Sequence, residues 1–521
     1  MKTKGIIAAG HEETARAAAI ILEEGGNAFD AALAAMCAAC IAEPVLASLG
    51  GGGFMLAQSS AKPKNPVLYD FFVQTPKRRH PADDVDFTPV FADFGEVQQE
   101  FHIGLGSLAT PGTVAGLFAV HEDLASMPMA RIIEPALALA SGGVRINALQ
   151  AYIFTVVEKI FTSNETCLAA YAGPGTPQRL LVEGETLKSP DFANVLDALA
   201  REGSDLFYLG EIADRLVGNC REQGGCLSRE DLEGYEVIRR HPLKINYQDT
   251  RILTNPPPST GGVLIAFALA LLEGQKLGRE RFGSDRYLKQ MAQVMEMTNE
   301  ARVKSRLHEI QDESVAATLL DRDFIELYRA RIAGHPPAHR GTTHISIIDG
   351  KGNVASLTLS NGEGSAYIIP GTGIMVNNML GEEDINPRGF HQWPKDTRMC
   401  SMMAPSLMQH PEGKLTAIGS GGSNRIRTAI LQVLVNLIEF GMTIEQAVES
   451  PRLHVEGDLL SIESGFGEQA TGLLSKDFPE IKEWKDRNMF FGGVHTVSFE
   501  PRKGRMEGVG DPRRGGITVT V

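Results

Sequence analysis

The stretch from Arg340 to Leu359 constrains this chain more than any other. It reads Arg340-Gly341-Thr342-Thr343-His344-Ile345-Ser346-Ile347-Ile348-Asp349, then the turn Gly350-Lys351-Gly352-Asn353, then Val354-Ala355-Ser356-Leu357-Thr358-Leu359. Strand-like alternation on both sides of a glycine-bearing turn predicts a β-hairpin. Its first strand opens with a hydroxyl residue. Were the peptide bond before Thr342 cut, that threonine would carry a hydroxyl and a free α-amine, whose reference pKa is about 7.7–8.0. Such an amine is partly neutral near physiological pH. It can take the proton of its own residue's hydroxyl, giving an activated nucleophile without a histidine. A plain hairpin in any β-sheet fits the local pattern equally well, so the rest of the chain has to decide.

Composition bounds the alternatives. The 521 residues are 43% hydrophobic and 22% charged, a globular profile with material for a large core. A formal net charge of −14 argues against a nucleic-acid or anionic-membrane binder. The apolar runs Ala31 to Ala42 and Val263 to Leu272 are too short to span a bilayer. Met1-Lys2-Thr3-Lys4-Gly5 lacks a secretory pattern, so a cytoplasmic location is expected. Six cysteines without scaffold spacing suit reduced thiols, and Cys37 and Cys40 lie in an Ala-rich run that reads as buried helix. No HExxH or clustered ligand spacing occurs among the histidines, so neither metal nor cofactor is expected.

Along the chain, His11 to Glu24 reads as a helix stopped by Gly25-Gly26, and Asn27 to Ala42 as a second helix buried on most sides. Gly50 to Gly53 leads into a strand and permits close backbone approach, without the lysine of a P-loop. Val67 to Val73 reads as a strand, and polar Thr75 to Gln99 as surface loop. Pro111 suits the start of a helix. Residues from about Met127 to Arg240 read as mainly helical, and Val237 to Leu253 as strands. A proline-rich loop then enters the helix Val263 to Leu272. Arg286 to Arg331 reads as a helical outer layer, and Gly334 to Gly341 as a short flexible segment open to cleavage. Gly419-Ser420-Gly421-Gly422-Ser423-Asn424-Arg425-Ile426 opens a helix reaching about Phe440. Its N–H groups suit an oxyanion or phosphate, or simply make a tight strand-to-helix turn. Val494 to Phe499 and Gly516 to Val521 read as edge strands.

Several motifs then occur together in order: Gly25-Gly26-Asn27-Ala28-Phe29-Asp30-Ala31-Ala32, Gly50 to Gly53, Thr110-Pro111-Gly112-Thr113, Pro257-Pro258-Ser259-Thr260-Gly261-Gly262 and Thr342-Thr343-His344. Pro370-Gly371-Thr372-Gly373, Asn377-Asn378, Gly419 to Arg425 and Asp511-Pro512-Arg513 complete the set. Over essentially the whole length the chain resembles the γ-glutamyltransferase (γ-glutamyltranspeptidase) family. The resemblance implies an α/β fold, the four-layer αββα sandwich of N-terminal-nucleophile hydrolases. It implies one precursor cut into residues 1–341 and 342–521, which stay associated around a shared core, with a homodimer left open. No cofactor is implied. The expected substrate is a small-molecule amide, a γ-glutamyl compound foremost, with water or an amine as acceptor.

Carried over residue by residue, the resemblance makes Thr342 the nucleophile and its amine the base. Ser360 stands where the family has a second threonine hydroxyl. Gly421 and Gly422 match the oxyanion glycines, with Gly422 and Ser423 as the alternative donors because the motif is shifted by one residue. Ser401 matches the first of two serines that bind the substrate carboxylate. Asn378 belongs to the Asn-Asn pair. The pocket departs from the family elsewhere: Phe72 replaces the carboxylate-clamping arginine, Met402 the second serine, Met379 a polar residue and Glu382 an aspartate. Lys77, Arg78, Arg79 and Arg398 are candidate substitutes for the lost arginine. The short Gly381 to Met399 loop suggests little lid. Three readings follow: γ-glutamyl transfer or hydrolysis, an acylase for a less polar amide using the same threonine chemistry, or an uncut non-enzymatic relative.

Overall fold

A computed structural model describes residues 3–93, 98–275, 277–305, 320, 325, 341–386, 388–467, 472, 474, 475 and 477–521. The hairpin lies in the middle of a seven-stranded sheet. In spatial order this sheet holds Ile238–Arg240, Val67–Phe71, Gly52–Gln58, Val354–Ser360, Thr343–Asp349, Gly5–Ala9 and Ile517–Thr520. Thr343 pairs with Leu359, Ser360 with Gly52, and Gly53 with Phe71, so one end of the sheet carries Thr342, Ser360, Gly52 and Phe72 at a common level. A six-stranded sheet packs against it. Its order is Leu243–Tyr247, Thr250–Thr254, Ser406–Gln409, Leu415–Gly421, Gly493–Glu500 and Arg505–Val509.

Period-two alternation decides which side chain meets which layer. Ile345, Ile347, Leu357 and Leu359 bury among the helices Glu12–Glu23 and Ala28–Ala42, whereas Ile348, Val354, Phe54 and Phe72 face the second sheet. Helices Gly261–Leu272 and Arg425–Ile438 cover the far side of that sheet. The result is the expected four-layer αββα sandwich. Both faces of the central strands are buried, so their polar residues must find partners inside. His344 does so with Thr358 Oγ1 at 2.8 Å and Ser346 Oγ at 2.9 Å.

The helix ends follow their caps. Asn27 accepts from the N–H groups of Phe29 and Asp30, and Asp30 closes a capping box. Gly53 shows why the glycine run is needed: a Cβ there would lie 2.4 Å from the carbonyl oxygen of Thr358.

Some expectations are corrected. The supposed loop Thr75 to Gln99 contains the strand Thr88–Asp93, and Gln98 begins a partner strand, Gln98–Ile103. In a two-stranded ribbon both strands are edges, so Pro89 is tolerated where it would break an interior strand. Gly493–Glu500 is an interior strand rather than an edge, because Arg505–Val509 folds back on it. Pro111 lies outside its helix, which begins at Thr113, and its carbonyl accepts from Tyr208. Helix Asp285–Lys304 matches the first part of the expected outer layer. Most of 306–340, including the expected flexible segment 334–340, lies outside the described residues. No helix among the described residues is long and apolar enough to cross a membrane.

Candidate functional site

Thr342 enters its strand at the edge of the space between the two sheets and is buried, at 4% exposure. Its hydroxyl donates to the carbonyl of Gly341 at 2.7 Å, and the Ser360 hydroxyl donates to the same oxygen at 2.8 Å. The Gly341 N–H donates to Glu363 Oε1 at 2.6 Å. The junction is thus held on both sides and presented to hydroxyls of its own chain. Thr343, pointing to the opposite face, donates to Glu43 Oε2 at 2.7 Å, and Thr14 donates to the other Glu43 oxygen at 2.8 Å. Burial raises the Glu43 carboxyl above the usual range, against these hydroxyl donors. His344 is no general base: burial holds its imidazole well below its ordinary value, and both ring nitrogens are engaged.

The second sheet supplies the opposing wall. Strand Leu415–Gly421 runs into Gly422, at φ +120°, and Ser423, at φ +54°, before helix Arg425–Ile438. The N–H groups of Gly422 and Ser423 donate to no backbone carbonyl among the described residues. Gly421 still pairs with Gly493 in the ladder. All three glycine and serine positions proposed as donors, Gly421, Gly422 and Ser423, thus lie where the strand turns into the helix. Gly421 also admits Thr342, since a Cβ there would lie 2.1 Å from the Thr342 carbonyl oxygen.

Arg514, which no sequence motif singled out, donates from Nη1 to the Thr342 carbonyl at 3.1 Å. The motif that precedes it is a buried ionic knot. Asp511 pairs with Arg452 at 2.7 Å and with Arg513 at 3.3 Å, and Arg513 pairs with Glu463 at 2.5 Å. Although burial alone would raise it, Asp511 is held down to about 2 by the two guanidinium groups and by N–H donors. The Asp-Pro-Arg signal in the sequence marked this knot, and the next residue is the one that reaches the site.

The expected pocket residues divide. Phe72, Met379 and Met402 belong to one apolar cluster at 1%, 2% and 8% exposure, with Phe72 stacked on Phe54 at 5.5 Å. Asn378 accepts from the Glu363 N–H at 2.9 Å, which links it to the junction. Glu382 is buried beside it: a Cβ on Gly362 would lie 2.1 Å from both Asn378 Oδ1 and Glu382 Oε1. Ser401 is buried and accepts from the Met403 N–H at 3.0 Å. The candidate replacement cations are engaged elsewhere. Lys77 donates to the Glu230 carbonyl, Arg78 pairs with Glu230, and Arg79 donates to the His391 carbonyl. Arg398 bonds the Phe72 carbonyl and Tyr235 and lies 3.6 Å from Asp70. The Gly381 to Met399 loop is tied down at its far end by Thr75, which donates to the Pro394 and Thr397 carbonyls. No cluster of His, Cys, Asp and Glu suited to a metal ion occurs among the described residues.

The family model described as gamma-glutamyltranspeptidase matches residues 14–521. The glutathione hydrolase proenzyme of Escherichia coli (strain K12) is 28% identical over 543 residues, covering 98% of this chain and 90% of that relative. The acylase ACY 1 proenzyme of Pseudomonas sp. (strain V22) is also 28% identical, over 544 residues, covering 100% of this chain and 94% of the relative. Among solved structures, the cephalosporin acylase from Bacillus halodurans superposes with a TM-score of 0.85 at 22% identity, covering 99% of this chain and 96% of that one; this likeness concerns the fold.

Proposed function

Because the chain belongs to the gamma-glutamyltranspeptidase family, we propose that it is a self-cleaving threonine amidohydrolase or acyltransferase whose donor amide needs no arginine clamp on an α-carboxylate. One observation carries the reading: the Gly341 carbonyl accepts both the Thr342 and Ser360 hydroxyls. In self-cleavage the Thr342 oxygen attacks the Gly341 carbonyl carbon, and Ser360 stabilises the developing oxyanion. The C–N bond breaks to leave an ester and a free Thr342 amine, and water hydrolyses the ester. In turnover the same oxygen attacks the substrate carbonyl while the amine takes its proton and returns it to the leaving amine. The N–H groups of Gly422 and Ser423 hold the oxyanion, and the acyl-Thr342 ester passes to water or an amine.

Relatives of equal identity are named both as glutathione hydrolase and as acylase, so the family alone leaves the donor open. The buried Phe72 and the four diverted cations favour an acyl group without a free α-carboxylate. A second reading, a γ-glutamyl donor, is favoured by Asn378 and Glu382 beside Gly362, where a carboxylate could meet an α-ammonium. The test is N-terminal sequencing of purified protein followed by a panel of γ-glutamyl and apolar acyl amides. We expect a small fragment beginning Thr342-Thr343-His344, a single inactive chain for Thr342→Ala, and faster turnover of apolar acyl amides. An intact but active chain overturns the proposal; glutathione as the best donor selects the second reading.

A further inference from the structure

Arg514 reaches Thr342 along a path cleared by glycines. A Cβ on Gly493 would lie 2.6–2.7 Å from the Arg514 Cβ, Cγ and Cδ. One on Gly422 would lie 3.1 Å from Nη2, and one on Gly421 would lie 3.2 Å from Nη1. Real Cβ atoms do not sit as close as the Gly493 position would require, so Gly493 makes room for the arginine stem, while Gly422 and Gly421 leave its guanidinium a close but feasible clearance. The side chain is 6% exposed, and its Nε has no hydrogen-bond partner among the described residues. Nη1 points at the Thr342 carbonyl at 3.1 Å, while Glu363, Asp511 and Glu43 act on the guanidinium through space. Nη2 reaches the Met489 carbonyl at 3.5 Å, so the buried guanidinium is divided between that carbonyl and Thr342.

We infer that Arg514 is a positioning residue of the reaction, fixing the Thr342 backbone and holding the freed Thr342 α-amine in its neutral, proton-accepting form. The inference rests on the reading of Thr342 as the residue released by self-cleavage. A fixed positive charge on the same residue's carbonyl disfavours a second positive charge on its nitrogen. Burial lowers the guanidinium to about 10, so it stays charged at neutral pH. Other charged groups lie on the surrounding elements. Glu363 binds the preceding N–H, Glu43 binds Thr343 on the opposite face, and Asp511 acts on Arg514; Glu382 lies beside Gly362, and Asp384 meets the Ser423 hydroxyl. These carboxylates favour the ammonium form, and Arg514 opposes them. His495, held down to about 4 by burial, is neutral and takes no side.

The experiment titrates the amine itself. Mature protein with a confirmed Thr342 N-terminus is treated with cyanate across the neutral pH range, and carbamoylation of that amine is followed by peptide mass spectrometry. In the wild type the amine is expected to titrate below its reference of about 7.7–8.0. Arg514→Met should raise it by about one unit or more, and the acid limb of kcat/KM should move with it. Arg514→Lys should keep it low. Gly493→Ala, which displaces the stem, should behave like Arg514→Met in milder form. A wild-type amine at or above the reference overturns the inference. So does an Arg514→Met variant that loses rate with an unmoved acid limb, which marks a purely structural residue. If Arg514→Met fails to mature, the wild-type titration still decides. A small fragment that begins elsewhere than Thr342 sinks the underlying reading instead.

Discussion

Two hydroxyls on one carbonyl are more than a buried junction needs for stability. A neutral hydrogen bond contributes about 0.5–1.5 kcal/mol net, but one aimed at a developing oxyanion is worth far more in rate. Ser360 donates to the Gly341 oxygen from the neighbouring strand and does not depend on Thr342 for its placement. Ser360→Ala should therefore slow self-cleavage by about 10²-fold while leaving the precursor folded. A gel time course of the small fragment reads this directly, and an unchanged half-time removes Ser360 from the mechanism. Phe72 makes the opposite point. At 1% exposure, stacked on Phe54 and with Arg398 on its own carbonyl, it cannot be exchanged for arginine without burying a second cation there.

At the scale of elements, the hairpin was legible because alternation survives in the sequence. It did not say that the polar face would be as buried as the apolar one. His344 and Ser346 lie between two sheets because a second sheet covers them. Glycine runs and cap residues were also readable, since each encodes a local backbone demand. The paired strands Thr88–Asp93 and Gln98–Ile103 were not, because short polar strands carry little periodic signal. Arg514 was missed because its role depends on a path through three glycines distant in sequence. Gly419 tests the sandwich contact: a Cβ there would lie 2.2–2.6 Å from three atoms of the His344 ring, which is hydrogen-bonded on both sides and cannot swing away. Gly419→Ala should cost about 1–3 kcal/mol by overpacking, seen as a lower denaturant midpoint. An unchanged midpoint means the sheets separate more easily than their packing suggests.

For the whole molecule, the buried histidines set how stability responds to acid. His11 caps helix Glu12–Glu23 by accepting from the Glu13 N–H, and His495 accepts from the Asp511 N–H. Burial lowers each to about 4, from about 6.5 in an unfolded chain. Between those values the unfolded chain binds more protons than the folded one, so stability falls as pH drops from about 6.5 to about 4. The slope is at most about 1.4 kcal/mol per pH unit for each histidine. Asp511, lowered to about 2, adds a second loss between its unfolded value near 3.9 and pH 2. Glu43 works the other way: its raised carboxyl favours the protonated form, so it recovers some stability as acid neutralises it. Denaturant midpoints should thus fall steadily from neutral pH toward pH 4, in the range where few carboxylates titrate. His11→Asn retains a capping acceptor without a titrating ring, and His495→Gln retains an acceptor for the Asp511 N–H. The double variant should show a flatter curve across this window. If its curve is as steep as that of the native protein, proton uptake at these two histidines is not what makes the fold acid-sensitive.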